Sequence, residues 1–423
     1  MSRESAEITT PEVEISVIAD FPGTISPPRS HLHALGAATK THDPFALGRD
    51  NFGLVVHCHL RWDFVWQRPQ QIFSRLAAAH RVLFIEDAIA ADGEPRLEIT
   101  EPFPNVIRLV PLLPTASAAS VDGQCEVLLP MIQQAIREHP QLAGHFHECV
   151  QWFYSPMTAP CFLGKFGARA VIYDCMDELA NFRFAPGDIG EREKMLLSRA
   201  DVVFTGGFQL FEAKSRFHHN VHFHGCGVDV AHFGKARLAA TEVSPAVADL
   251  KHPVFGYFGV IDERLDYELI ERLAVRFPHA SVAMAGPLAK VEQSQLPNLP
   301  NIHWLGQRSY DELPALVKGF DVCLMPFALN EATRFINPTK TLEYMAAGKP
   351  IVSTAVADVV RNFTPIVDIA QSPAEFLLAV ERAWQQPDPR LLEQGIERAN
   401  GASWDAIVEA MDNEMRKALV RVN

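Results

Sequence analysis

From residue 52 onward, short apolar runs rich in β-branched and aromatic residues alternate with longer runs whose apolar residues recur at helical spacing, and the series occurs twice. This is the pattern of βαβ units, which close a parallel sheet between layers of helices. In the first series strands are expected over FGLVVHC (52–58), RVLFIED (81–87), VIRLV (106–110), CVQWFY (149–154), AVIYD (170–174), DVVFTG (201–206) and VHFHG (221–225). Helices are expected over QQIFSRLAAAH, EVLLPMIQQAIREH and QLFEAKSRF. The second series predicts strands over 253–259, 280–286, 301–306, 321–327 and 350–355, with helices at 265–277 and 338–348 and more toward the end.

Two such series in 423 residues predict an α/β protein of two doubly wound Rossmann-like domains facing across a cleft. The expected division is a flexible leader over 1–48, a first domain over 49–232, a connection over 233–252 and a second domain over 253–400. Residues 401–423 are expected as a C-terminal helix packing back on the first domain. Sheets of this kind bind ligands beyond the carboxyl ends of their strands, so the loops there are the place to look for chemistry.

Composition narrows the function classes. A net charge of -13 repels polyphosphate backbones and argues against a nucleic-acid partner, leaving room for a local basic pocket. No run approaches 18 consecutive apolar residues, and the start lacks a basic segment followed by an apolar core. The reading is therefore a cytoplasmic protein, with peripheral attachment to the inner face of a membrane compatible with it. The 7 cysteines are scattered without a C-x-x-C pair, which fits reduced, buried thiols better than a disulfide frame or a zinc site.

The most informative stretch runs from Asn337 to Val352 (NPTKTLEYMAAGKPIV). Asn337 suits an N-cap and Pro338 the first helical position, so the N–H groups of Thr339 and Lys340 would open toward the cleft as an anion site. Lys340 adds a positive charge, and Glu343, three residues later on the same face, can accept hydrogen bonds from a diol such as a ribose. A surface ion pair on a capped helix is the plainer alternative. Gly259, after a strand, would let backbone approach a phosphate or merely make a turn. Arg264 can bridge phosphate oxygens with its planar fork, or else pair with Asp262 or Asp266.

In the first domain, the loop His59 to Pro69 carries Arg61, Trp62, Trp66, Gln67 and Arg68 at a strand's carboxyl end. Indole faces and guanidinium forks suit a polyol or anionic acceptor; core packing of the tryptophans at the interdomain seam is the alternative. Asp174 and Asp177, in YDCMDEL, are candidates for orienting an acceptor hydroxyl, with ion pairing or helix capping as the alternative. His222 and His224 share a strand face without a defined third ligand, so no metal is expected.

The 337–352 stretch resembles the donor-site segment of glycosyltransferase family 4, retaining enzymes of the GT-B fold. Phe255-Gly256-Tyr257-Phe258-Gly259 followed by Val260 to Asp266 looks like that family's Gly-rich first turn of the donor domain. Asn301 to Gly306, including Leu305, is similar to its base-binding loop, and WxxxxQRPQ resembles a first-domain segment of a bacterial subgroup. The resemblance covers about residues 50 to 400 and implies a GT-B architecture. It implies Arg264 and Lys340 as catalytic stabilisers of the departing diphosphate. Donor contacts would come from Gly259, Leu305, Gly306, Asn337, Thr339, Glu343 and Glu331, and acceptor contacts from Arg61, Trp62, Gln67, Arg68, Asp174 and Asp177. It departs from the family in one place: of the paired glutamates, the first would fall on Phe335, and Glu331 is a candidate substitute.

The implied reaction moves a sugar, with retention, from a nucleotide diphosphate sugar to a hydroxyl of a glycan or lipid-linked acceptor in bacterial surface polysaccharide or glycoconjugate synthesis. A UDP-sugar is favoured over a GDP-sugar on the resemblance alone. No cofactor and no metal are called for, since the nucleotide sugar is a substrate; the oligomeric state is not legible. A nucleotide-sugar epimerase and a non-catalytic scaffold of the same fold are the alternatives, separated by product analysis with and without acceptor and by nucleotide binding without turnover.

Overall fold

The computed structural model describes residues 52–118, 121–183 and 185–421, and the leader expected over 1–48 lies outside them. The first domain holds β1 Gly53–Cys58, β2 Val82–Glu86, β3 Ile89–Ala90, β4 Arg96–Phe103, β5 Val106–Leu113, β6 Cys149–Phe153, β7 Ala168–Cys175, β8 Val202–Thr205 and β9 Val221–Phe223. They form one sheet in the order β3-β5-β2-β1-β6-β7-β8-β9, parallel except for β4, which lies antiparallel against β5. The second domain holds β10 Val254–Phe258, β11 Ser281–Ala285, β12 Ile302–Gly306, β13 Val322–Met325, β14 Ile351–Thr354 and β15 Asp368–Ala370, ordered β12-β11-β10-β13-β14-β15 and parallel throughout. Strands such as β1, β2, β10 and β11 are buried along their whole length, as strands covered by helices on both faces must be.

Strand order reverses direction at β1 in the first sheet and at β10 in the second, so the loops after these two strands border the crevices where doubly wound sheets take ligands. Those loops begin at His59 and Gly259. The helix Trp404–Arg421 sends Trp404, Met411 and Met415 into the same core as Val56, Trp152 and Phe204 of the first sheet, so the chain's last helix belongs to the first domain. The stretch expected as a plain connection is more ordered than that. Short helices Val230–Gly234 and Pro245–Ala248 are capped by Asp229 and Ser244, and Phe233, Ala236 and Val247 join the second domain's core.

Two further differences have physical reasons. β4 was not expected because its residues alternate between exposed and half-buried at the sheet's margin, where charged side chains cost nothing. Cys125 and Cys161 are joined in a disulfide, with Cα atoms 5.1 Å apart where the helices Val121–Glu138 and Ala159–Phe162 pack together. Among the described residues no helix is long and apolar enough to cross a membrane.

One buried ion pair ties the first domain's cleft edge together. Arg68, at the start of helix Arg68–Leu76, donates from Nε and Nη2 to Asp174 at the end of β7 (2.9–3.2 Å), and from Nη1 to the His224 carbonyl (2.8 Å). Their side chains are 3% and 0% exposed. Removing one partner would strand the other's charge away from water. Asp174→Asn should therefore lower unfolding stability by about 3–5 kcal/mol in urea denaturation, whereas a loss below about 1 kcal/mol would mean water reaches the pair.

Candidate active site

The second domain's strand ends build a cation site out of glycine backbone. Gly259, just after β10, has φ +139, and a Cβ there would lie 2.9 Å from Lys340 Cε, 3.2 Å from its Nζ and 2.9 Å from Tyr257 Oη. Gly286, after β11, has φ +154, and a Cβ there would drive into the Gly259 carbonyl. Its N–H donates to the carbonyl of Gly306, the last residue of β12 (2.8 Å), and the Gly259 N–H donates to the Ala285 carbonyl (2.9 Å). Three adjacent strand ends thus knit into one floor, open enough at Gly306 (φ +70) that nothing stands within 4 Å of where its Cβ would be. Leu305, beside it, packs partly buried on the core and lends its carbonyl to Arg308.

Lys340 lies half-buried over this floor. Its ammonium sits 5.2 Å from the Tyr257 ring and 5.3 Å from the Phe327 ring, and makes no hydrogen bond or close ion pair among the described residues. Burial, then the like charge of Arg264, lowers its pKa to about 8, against the pull of Glu343. Glu343 is 7% exposed, and burial pushes its carboxyl up to about 7. The two are therefore not the exposed ion pair of the plainer reading. Arg264 is held by Asp262 through Nε (3.0 Å) and Nη2 (2.6 Å); burial works against its charge, but Asp262 more than offsets this and holds its pKa high. Asp266 instead caps the helix Tyr267–Arg276.

The helix expected to start at Pro338, with Asn337 as its N-cap, begins later. Its residues run Lys340–Ala346 with Thr339 as N-cap, in helical dihedrals and without a side-chain cap bond. Asn337 faces the other domain: its Nδ2 donates to the Gly206 carbonyl (2.9 Å), and its Oδ1 is buried without a partner. The Thr339 hydroxyl donates to Cys226 Sγ, whose thiol donates to the Asn337 carbonyl, each at 3.2 Å. Glu331 stands on an exposed loop, 3.6 Å from Arg334, and Phe335 packs against the first domain's core.

The first-domain candidates divide. Arg68 and Asp174 are spent on each other, as described. Trp62 is only 3% exposed, packed edge-on against Phe84 and Trp66, so its face is closed to an acceptor; Trp66 spans the seam to Tyr310. Arg61 donates to Glu86 (3.2 Å), and Gln67 closes the capping box that starts helix Arg68–Leu76. Asp177 alone keeps a carboxylate without hydrogen bond or ion pair among the described residues; burial raises its pKa to about 6, Arg264 opposing. His222 hydrogen-bonds Asn220 (2.9 Å), and among the described residues no group of three or more His, Cys, Asp or Glu gathers as a metal site.

Several residues at the cleft were not nominated from sequence: His59 after β1, whose Nδ1 is buried without a partner; Phe182; Lys290; and Gly286. The repeated strand-then-glycine endings, YFG and MAG, were the available signal for Gly286.

Residues 253–386 match the family model described as "Glycosyl transferases group 1". A curated relative, the putative teichuronic acid biosynthesis glycosyltransferase TuaH of Bacillus subtilis (strain 168), is 25% identical over 56% of this chain, and the match spans 64% of that relative's length. Among solved structures, a sucrose-phosphate synthase from Thermosynechococcus elongatus matches with TM-score 0.65 and 16% identity, covering 88% of this chain and 100% of that one. An E. coli structure titled "Trehalose-6-phosphate from E. coli bound with UDP-2-fluoro glucose" matches with TM-score 0.59 and 14% identity, covering 85% and 98%. The chain therefore has the GT-B fold, and residues 253–386 of its second domain are similar to the glycosyl transferases group 1.

Gly259→Ala tests the floor. The strained φ and the clash with Lys340 should lower stability by about 1–3 kcal/mol and displace the ammonium, so any melting-point rise caused by a nucleoside diphosphate should shrink. An unchanged rise would mean that Lys340 does not need this approach.

Proposed function

We propose that the protein is a glycosyltransferase that takes a sugar from a nucleoside diphosphate sugar and passes it to a hydroxyl acceptor. The observation that carries this reading is Lys340: a half-buried ammonium above a glycine floor, at the sheet's switch point, facing aromatic rings and held in no ion pair or hydrogen bond among the described residues, with Glu343 and Asp262 acting on it only from a distance. Burying a cation without a counter-ion is costly, and a diphosphate supplies the missing charge. Arg264, kept charged by Asp262, stands beside it.

The chemistry asks for charge stabilisation on the leaving group. As the bond from the anomeric carbon to the phosphate oxygen breaks, negative charge grows on the diphosphate, and Lys340 and Arg264 stabilise it in a site partly shielded from water. Glu343, one helical turn from Lys340, is available to the ribose hydroxyls. Retention of configuration follows from the family resemblance and is part of the proposal. A uridine donor is favoured by the resemblance and by the bound UDP-2-fluoro glucose of the E. coli neighbour. Synthesis of a bacterial surface polysaccharide is favoured by the teichuronic acid name of the Bacillus relative. The acceptor is a glycan or lipid-linked hydroxyl.

A melting-temperature panel with UDP, GDP and ADP tests donor binding. A ligand at 100 times its dissociation constant stabilises by about 2.7 kcal/mol, so UDP or GDP should raise the melting point and ADP should do less; silence from all three would contradict the reading. For the reaction, Lys340→Met keeps side-chain bulk and helix propensity but removes the charge. Turnover should fall by roughly 100- to 1000-fold with the fold retained, the scale of one lost transition-state donor. Normal turnover in this variant would withdraw Lys340 from the phosphate site.

A further inference from the structure

Resting on the glycosyltransferase reading, we propose that Asp177 and His59 form the acceptor-hydroxyl site, in which the Asp177 carboxylate receives the hydrogen bond of the reacting hydroxyl and His59 binds a neighbouring hydroxyl of the same sugar. The ligand class is a polyol acceptor. The loop that begins at Asp177 leaves the end of β7 and docks on the second domain: Asn181 Nδ2 donates to the Glu331 carbonyl (3.2 Å), and the Arg183 N–H donates to Glu263 Oε1 (3.2 Å). Phe182 sits beneath two second-domain cations, 6.0 Å from the Arg264 guanidinium carbon and 5.1 Å from Lys290 Nζ. The loop therefore carries Asp177 to the cations of the donor side.

His59 approaches from the end of β1, at the switch point of the first sheet, with its Nδ1 buried and unpartnered. β1 and β7 flank β6 in one parallel sheet, so His59 and Asp177 leave the same edge of it two strands apart, and Lys290 of the second domain acts electrostatically on both. Burial, and Lys290 after it, lowers the imidazole to about 4, so near neutral pH His59 is uncharged and can both donate to and accept from a hydroxyl. Asp174, three residues before Asp177, cannot serve, because Arg68 occupies it.

In the reaction the hydroxyl oxygen forms the new bond to the anomeric carbon while the bond from that carbon to the phosphate oxygen breaks. The electron pair of the broken bond goes to the departing phosphate, which also takes the hydroxyl proton. Asp177 aligns the nucleophile and must be ionised to do so. The groups that act on it are Arg264 and Asp262 of the second domain's first loop, Lys290 from the loop after β11, and Arg68. With burial outweighing Arg264, activity should fall as pH drops through about 6.

The test measures nucleoside diphosphate release from UDP-glucose and GDP-mannose, with octyl β-D-glucoside as the probe acceptor and water as background. The glucoside should stimulate release by the wild type. Asp177→Asn should reduce that stimulation roughly 100-fold and abolish the acid limb, with the melting shift caused by UDP or GDP intact and partial recovery in Asp177→Glu. His59→Leu should raise the half-saturating glucoside concentration more than it lowers the limiting rate at saturating glucoside. Equal losses of background hydrolysis and nucleotide response in Asp177→Asn would overturn the assignment in favour of a clamp on Arg264, and undiminished stimulation would overturn it outright. A wild type that binds UDP or GDP but ignores the glucoside overturns the polyol site alone. A wild type that binds no nucleoside diphosphate overturns the underlying reading.

Discussion

The candidate site of the second domain depends on how closely Lys340 approaches the backbone at Gly259. No side chain could stand at that position without pushing the ammonium away, and the positive φ there follows from hydrogen bonds that knit the ends of β10, β11 and β12. The lysine is desolvated by its surroundings rather than by an ion partner, so its charge is held at a cost. The cost falls when an anion arrives.

Polar contacts, many of them to backbone, join this floor to the first domain. Asp358 of the second domain accepts from the N–H groups of Phe208 (2.7 Å) and Gln209 (3.4 Å), capping a first-domain helix, while Arg361 stacks 3.2 Å from the Phe208 ring centre. Gln71 donates to the Tyr310 hydroxyl (3.0 Å) and Gln307 to the Phe64 carbonyl (2.6 Å). Backbone carbonyls and amides are fixed in direction, so such bonds define one relative placement of the two cleft walls. Polar seams of this kind also separate at lower cost than apolar ones, as exchange of substrates through a cleft requires.

Most strands were legible because buried parallel strands must be apolar nearly throughout, and β1, β6, β10 and β13 read that way from composition alone. The helix Pro389–Asn400 escaped because only a narrow face is apolar, and the short helices of the 230–248 stretch escaped because each is too brief to show a period. At the candidate site, Gly259 was legible because it directly follows a strand, and Lys340 and Glu343 because they stand three residues apart on one face of an expected helix. Arg68 looked like an acceptor ligand because its partner, Asp174, lies 106 residues away, and local pattern carries no trace of such a pair. Asn337 looked like an N-cap for the same reason: its amide partner, Gly206, is supplied by the other domain.

If a diphosphate completes the charge of Lys340, as proposed, its binding must take up protons. With burial holding the lysine's pKa down at about 8 in the free protein, bound diphosphate should raise it and draw in a fraction of a proton at pH 8. Titration calorimetry of UDP or GDP at pH 8, in buffers of different ionisation enthalpy, reads that number directly. Net proton uptake is expected in the wild type and none in Lys340→Met. Binding without proton uptake, or uptake that persists in the variant, would contradict it.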